Sequence, residues 1–102
     1  MDIKVGARLR STVCDTEVIV VRSPGGELDL RCGGHPMVAK DADAPSAGEP
    51  KAGLDGGTLV GKRYVDQERG LEILATKAGA GSLSMGDDPL PVKDAKPLPS
   101  SD

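Results

Sequence analysis

The sequence has no tryptophan, no phenylalanine and a single tyrosine, Tyr64, among its 102 residues. Its core must therefore be filled by Val, Leu, Ile, Met and Ala. Each large aliphatic side chain contributes about 1.5–3 kcal/mol when fully buried, so a modest stability is expected. The same scarcity removes the stacking platforms on which single-stranded nucleic acids are held. Basic charge is lacking too. The formal net charge is −3; residues 1–40 hold six Lys/Arg against five Asp/Glu, and residues 41–102 hold seven against eleven. With no basic block, a nucleic-acid partner is not expected. No apolar run approaches the roughly 18 residues of a membrane-spanning helix. The first ten residues are broken by charge and contain no apolar stretch of the kind that opens a secretory signal. These absences point to a cytoplasmic protein without a membrane partner.

Catalytic motifs are scarce as well. His35 is the only histidine, so any Ser-His-Asp or Cys-His arrangement has to use it. A Cys32–His35 pair would activate a thiolate in principle, but no third orienting residue and no oxyanion-hole signature accompany it. Lys77-Ala78-Gly79-Ala80-Gly81-Ser82 has the glycines of a phosphate loop without the spacing or the following helix, and reads as a flexible turn. Asp87-Asp88 lies outside the EF-hand pattern and reads as a solvated turn. Arg8, Arg10, Arg22 and Arg31 fall on polar strand positions, with Glu17, Glu27 and Asp29 placed to neutralise them across strands.

What is present is β pattern. Val5, Ala7, Leu9 and Val13 alternate with Arg8, Arg10 and Thr12, which predicts a half-buried strand. Val18–Val21 is a β-branched run, expected to be a strand buried on both faces. Ser23-Pro24-Gly25-Gly26 supplies a turn, after which Leu28, Leu30 and Cys32 form an inward set against Glu27, Asp29 and Arg31. A second hairpin is expected from residues 58–65, a polar turn at Asp66–Gly70, and a return over residues 71–76. Ser82–Met85 and Pro89–Val92 read as edge strands. The resulting expectation is a mostly-β fold of small antiparallel hairpins or a partly open barrel. It divides into an N-terminal lobe (1–39), a flexible linker (40–57), a second β lobe packing on the first (58–95) and an extended tail (96–102).

Arg10-Ser11-Thr12-Val13-Cys14 together with Cys32-Gly33-Gly34-His35-Pro36-Met37-Val38 resembles the desulforedoxin-like domains, small relatives of rubredoxin that hold one iron on four cysteines. The resemblance covers residues 5–39. It places Ser11 where the first cysteine stands, matches Cys14 and Cys32 to the second and third, replaces the fourth with Gly33, and matches Gly34 and Met37 to the residues that follow. It implies a rubredoxin-like lobe in which Cys14 and Cys32 come close together. A rubredoxin-type iron requires four thiolates, and one chain has two.

Three readings of the thiols stay open. Cys14, Cys32 and His35 supply up to three ligands of a zinc or iron site, with Asp15, Glu17 or water as a fourth, or with the thiols of a homodimer combined. Alternatively the two thiols form a reversible disulfide, although no C-x-x-C motif supports it. Or they are small buried hydrophobes and His35 is a turn residue. With no catalytic constellation legible, the expectation is a non-catalytic accessory or interaction module without a cofactor, docking on a larger enzyme or protein, with metal or redox chemistry as the alternative.

Overall fold

A computed structural model describes residues 2–93; the tail expected over 96–102 lies outside the described residues. The chain is mostly β and forms two antiparallel sheets. The first is ordered β5-β1-β2-β7-β6, from Val38–Ala39, Arg8–Arg10, Glu17–Arg22, Leu71–Lys77 and Arg63–Asp66. The second is ordered β4-β3-β8-β9, from His35–Pro36, Leu30–Cys32, Leu83–Met85 and Asp88–Pro89. A single apolar cluster draws on both sheets and includes Leu9, Val18, Val20, Ile73 and Ala75 from one, and Leu30, Cys32, Leu83 and Met85 from the other. Among the described residues no helix is long and apolar enough to cross a membrane.

The two sheets hide an internal repeat. Residues 3–22 correspond to 58–77 and residues 26–40 to 79–93, with the β2–β3 turn two residues longer than its counterpart. The backbone hydrogen bonds match in detail. Gly6 N donates to Val20 O and Gly61 N to Ala75 O; Val20 N donates to Ala7 O and Ala75 N to Lys62 O. Met37 N donates to Leu30 O and Leu90 N to Leu83 O, while Lys40 N reaches Arg8 O as Lys93 N reaches Arg63 O. Each half opens with a turn whose third residue, Gly6 (φ 88°) or Gly61 (φ 80°), lies in the left-handed region that favours glycine at that position. Val5, Gly6, Arg8, Glu17, Gly26, Leu30, Gly33, Pro36 and Lys40 recur as Val60, Gly61, Arg63, Glu72, Gly79, Leu83, Gly86, Pro89 and Lys93.

A local two-fold axis relates the halves. In the first sheet Ile19 faces Leu74, flanked by Val18 opposite Ala75 and Val20 opposite Ile73. In the second, Arg31 faces Ser84, flanked by Leu30 opposite Met85 and Cys32 opposite Leu83. In every one of these flanking pairs the partners exchange places with their counterparts. The halves are therefore joined through shared sheets, β2 with β7 and β3 with β8.

Several expectations change. The strand predicted from Val5 to Val13 shrinks to Arg8–Arg10, because residues 4–7 form the opening turn and leave Val5 exposed. Val18–Val21 is not buried on both faces: Val18 and Val20 are buried, Ile19 is half-buried and Val21 exposed. Ser82–Met85 does not form an edge, since β8 is paired on both sides and wholly buried. The segment read as a linker is fastened to both halves: Ala47 N donates to Thr12 O and Lys51 N to Gly33 O, while Ser82 N donates to Leu54 O.

Candidate functional site

Most core positions pair like with like across the axis: Leu9 with Tyr64, Val18 with Ile73, Leu30 with Leu83, Met37 with Leu90. The exceptions gather in one place. Thr16 is fully buried where the other half has Leu71, Thr58 is buried where the first half has Ile3, and Cys32 stands for Met85. Around them lie Ser11 and Cys14, the counterparts of Asp66 and Arg69, and Gly81, the counterpart of Leu28.

The site begins in the β1–β2 loop. Ser11 Oγ accepts the backbone N–H groups of Val13 (3.1 Å) and Cys14 (3.2 Å), closing a tight turn, and lies 3.3 Å from the Cys14 sulfur, accepting from the thiol and donating its own hydrogen to the thiolate. Thr16 Oγ1 lies 3.2 Å from the same sulfur, and Gly81 N donates to it at 3.4 Å. Cys32, on β3, brings its sulfur to 3.7 Å from that of Cys14. Both cysteines are free thiols, Cys14 half-buried and Cys32 fully buried.

The glycines of the β7–β8 loop cover the pair. A Cβ on Gly81 would stand 2.9 Å from the Cys32 sulfur and 3.2 Å from that of Cys14, and one on Gly79 would stand 2.9 Å from the Cys14 sulfur and collide with Thr16. Neither has a positive φ, so the glycines are required for space. Thr58 holds this loop, donating its hydroxyl to Gly81 O at 2.7 Å while its backbone pairs with Gly79. Pro50 packs against Gly33 from the outer side.

These surroundings separate the two thiols chemically. Burial pushes Cys14 up, but the hydrogen bonds from Ser11, Thr16 and Gly81 outweigh it and bring the thiol down to about 7. Burial, and then the neighbouring Cys14, push Cys32 up to about 11. Near neutral pH Cys14 is thus partly ionised beside a neutral Cys32 thiol.

Sequence reasoning brought Cys14 and Cys32 forward, and the structure places them together. His35 sits opposite Cys32 across the β3–β4 turn. Glu17 is engaged by Lys40 at 3.3 Å and Lys77 at 3.8 Å. Among the described residues no three His, Cys, Asp or Glu side chains converge as a metal-holding group. The thiol brought down is Cys14, whereas the Cys–His pair considered from sequence used Cys32. Thr16, Thr58, Gly79 and Gly81 were missed, and the loop read as a flexible turn is the cover of the site.

In comparisons with known proteins, no family model, no curated protein and no solved structure matches this chain.

Proposed function

We propose that the protein is a small redox-responsive accessory module that works by reversible closure of a disulfide between Cys14 and Cys32 while docked on a larger protein. The observation that carries the redox part is the 3.7 Å separation of a hydrogen-bonded, thiolate-favouring Cys14 from a buried, protonated Cys32. A disulfide holds its sulfurs at about 2.0 Å, so closure needs an approach of roughly 1.7 Å. That distance is within reach of side-chain rotation in a loop and a small backbone shift.

Thiol–disulfide chemistry needs an attacking thiolate with a value near ambient pH and a partner thiol held close, and the pair supplies both. The meeting of Ser11, Cys14 and Cys32 is also what a desulforedoxin-like arrangement with two thiols lost would leave behind, which supports that resemblance as a proposal for residues 5–39. No metal step enters this reading.

The docking part is supported by exposed apolar side chains at the two equivalent turns: Val5, 65% exposed, and the adjoining Leu59 and Val60, 60% and 59% exposed. Equilibration in buffers of graded oxidised and reduced glutathione, followed by a free-thiol count in denaturant and intact mass, tests the redox part. One intramolecular disulfide is expected in the wild type and none in Cys14→Ser or Cys32→Ser. Two free thiols in fully oxidising buffer would remove the proposal. Native mass spectrometry of the protein recovered from its own cells tests docking. A Leu59→Ser/Val60→Ser variant should lose the partner, and free monomer for the wild type would sink this part.

A further inference from the structure

The cover over the thiols restricts what can reach them. The Cys14 sulfur is bounded by Gly81 and Gly79, by the hydroxyls of Ser11 and Thr16, and by Cys32. The 47–56 strap closes the neighbouring flank through its bonds to Thr12, Gly33 and Ser82. The backbone of the β7–β8 loop approaches so closely that even a methyl group at Gly79 or Gly81 would collide with sulfur. A bulky disulfide and a small peroxide both need an in-line approach to the Cys14 thiolate, and the crowding by the β7–β8 loop slows the larger molecule more. A two-oxygen molecule meets that requirement in far less room. It also meets hydroxyl donors beside the sulfur that are able to hold a departing hydroxide.

We infer that Cys14 is a peroxide-reactive site, at which a small hydroperoxide transfers one oxygen to the sulfur and Cys32 converts the product to the disulfide. The inference rests on the dithiol reading above and names its oxidant. In the first step the Cys14 thiolate attacks the outer oxygen of the peroxide. The S–O bond forms as the O–O bond breaks, sulfur is oxidised to a sulfenic acid, and the peroxide is reduced to hydroxide or alkoxide, which takes up a proton to leave as water or alcohol. Thr16 and Ser11, 3.2 and 3.3 Å from the sulfur, are placed to hydrogen-bond the oxygens during this transfer.

In the second step Cys32 attacks the sulfenic sulfur at the short distance the fold imposes. The S–S bond forms, the S–O bond breaks, and the Cys32 proton leaves with the hydroxyl as water. A small dithiol returns the pair to its reduced form, becoming a disulfide itself. The buried position of Cys32 gives the two thiols distinct roles: Cys14 is oxidised first and Cys32 resolves it.

Hydrogen peroxide at stoichiometric to tenfold excess, with dimedone as the sulfenic-acid trap and intact mass as the readout, tests this. Cys32→Ser should give a dimedone adduct on Cys14, Cys14→Ser no adduct, and the wild type the disulfide. Thr16→Val should slow peroxide consumption by about tenfold, one hydrogen bond's contribution in the transition state. Thr16→Ser should retain the rate, and diamide should close the disulfide in all three chains that keep both cysteines. If diamide closes the wild-type disulfide while peroxide leaves the thiols intact and Cys32→Ser unlabelled, the inference fails and the dithiol reading stands. If neither reagent closes it, both fail. An adduct on Cys32 in Cys14→Ser would overturn the assignment of roles.

Discussion

The first half of the chain and the second share one backbone plan and differ in what they do with the loop between their first two strands. In the second half Asp66 Oδ1 accepts the Arg69 backbone N–H at 3.1 Å and Oδ2 accepts the guanidinium at 2.7 Å. In the first half Ser11 and Cys14 stand at those positions and make the same two contacts, backbone and side chain, with a hydroxyl and a thiol. One turn thus supports a fixed ion pair on one side and an ionisable sulfur on the other. The cover differs in step: Leu28 packs on the core where Gly81 lies over the thiols. A frame that repeats, with its small and polar departures gathered around one loop, Ser11, Cys14, Thr16 and Cys32 from the first half and Thr58, Gly79 and Gly81 from the second, marks that end of the molecule as the site of chemistry. The equivalent end, where Asp66, Arg69, Leu71 and Met85 meet Ile3, Gly26 and Leu28, serves as its internal reference.

The largest expected effect comes from filling the cover. Gly81→Ala and Gly79→Ala should each cost about 1–3 kcal/mol in urea unfolding, because the new methyl meets sulfur or Thr16 in a closed space. Gly26→Ala, at the counterpart of Gly79, finds open space and carries only the strain of φ 80°, about 1 kcal/mol. Equal losses at Gly79 and Gly26 would break the comparison.

Next is reactivity. Iodoacetamide labelling of Cys14 should rise with a midpoint near pH 7, and Cys32 should stay unreactive until far higher pH. Ser11→Ala should move the Cys14 midpoint upward by about one pH unit. Asp66→Ala, the same change in the other half, should leave it in place.

Stability should follow these protons. Cys14 binds its proton more weakly in the folded chain than in the unfolded one, whose thiols titrate near 8.5. The reduced protein therefore gains stability as pH rises from about 7 to about 8.5, and loses that contribution as pH falls through 7. Cys32 acts in the opposite sense. Its folded value of about 11 makes stability decline once unfolded thiols ionise above about 8.5. A maximum near pH 8–9 is expected in reduced protein. Cys14→Ser should remove the rising limb and Cys32→Ser the falling one.

The smallest effect concerns the ion pairs repeated in both halves. Glu72, buried against Lys93 at 3.0 Å and Arg63 at 3.3 Å, is held below the usual carboxylate range first by the Lys93 hydrogen bond. Its stabilisation is present above the unfolded carboxylate range and lost as pH falls through the folded value. Glu72→Gln should lower the urea midpoint more than Glu17→Gln, whose side chain is more exposed, with each change below about 1 kcal/mol.

The strands could be read from alternation because burial on one face of a sheet imposes period two. Leu30, Cys32 and Leu71 fall inward as the pattern requires. The repeat escaped notice because a buried pair such as Leu9 and Tyr64, or Cys32 and Met85, conserves burial rather than residue type. The markers that would have shown it are the recurring Val-Gly-x-Arg and the Gly-x-x-Pro of Gly33–Pro36 and Gly86–Pro89. The thiols were visible as residues. Their setting was not, since Gly81 reaches Cys14 across 67 positions of sequence. A glycine needed for close approach also looks, in sequence, like one needed for a turn.

The axis between the halves also bears on how the chain holds together when it is cut. The connection between them passes through residues 41–57, while the two central seams, β2 against β7 and β3 against β8, belong to different sides of that connection. A break at residues 41–46, before the strap begins its bonds to the thiol loop, would leave both seams and the site's cover intact. The two fragments are thus complementary pieces that should reassemble on mixing. Only their union would place the Gly79–Gly81 cover over Cys14 and Cys32, so the thiolate's reactivity profile becomes a reporter of fragment complementation.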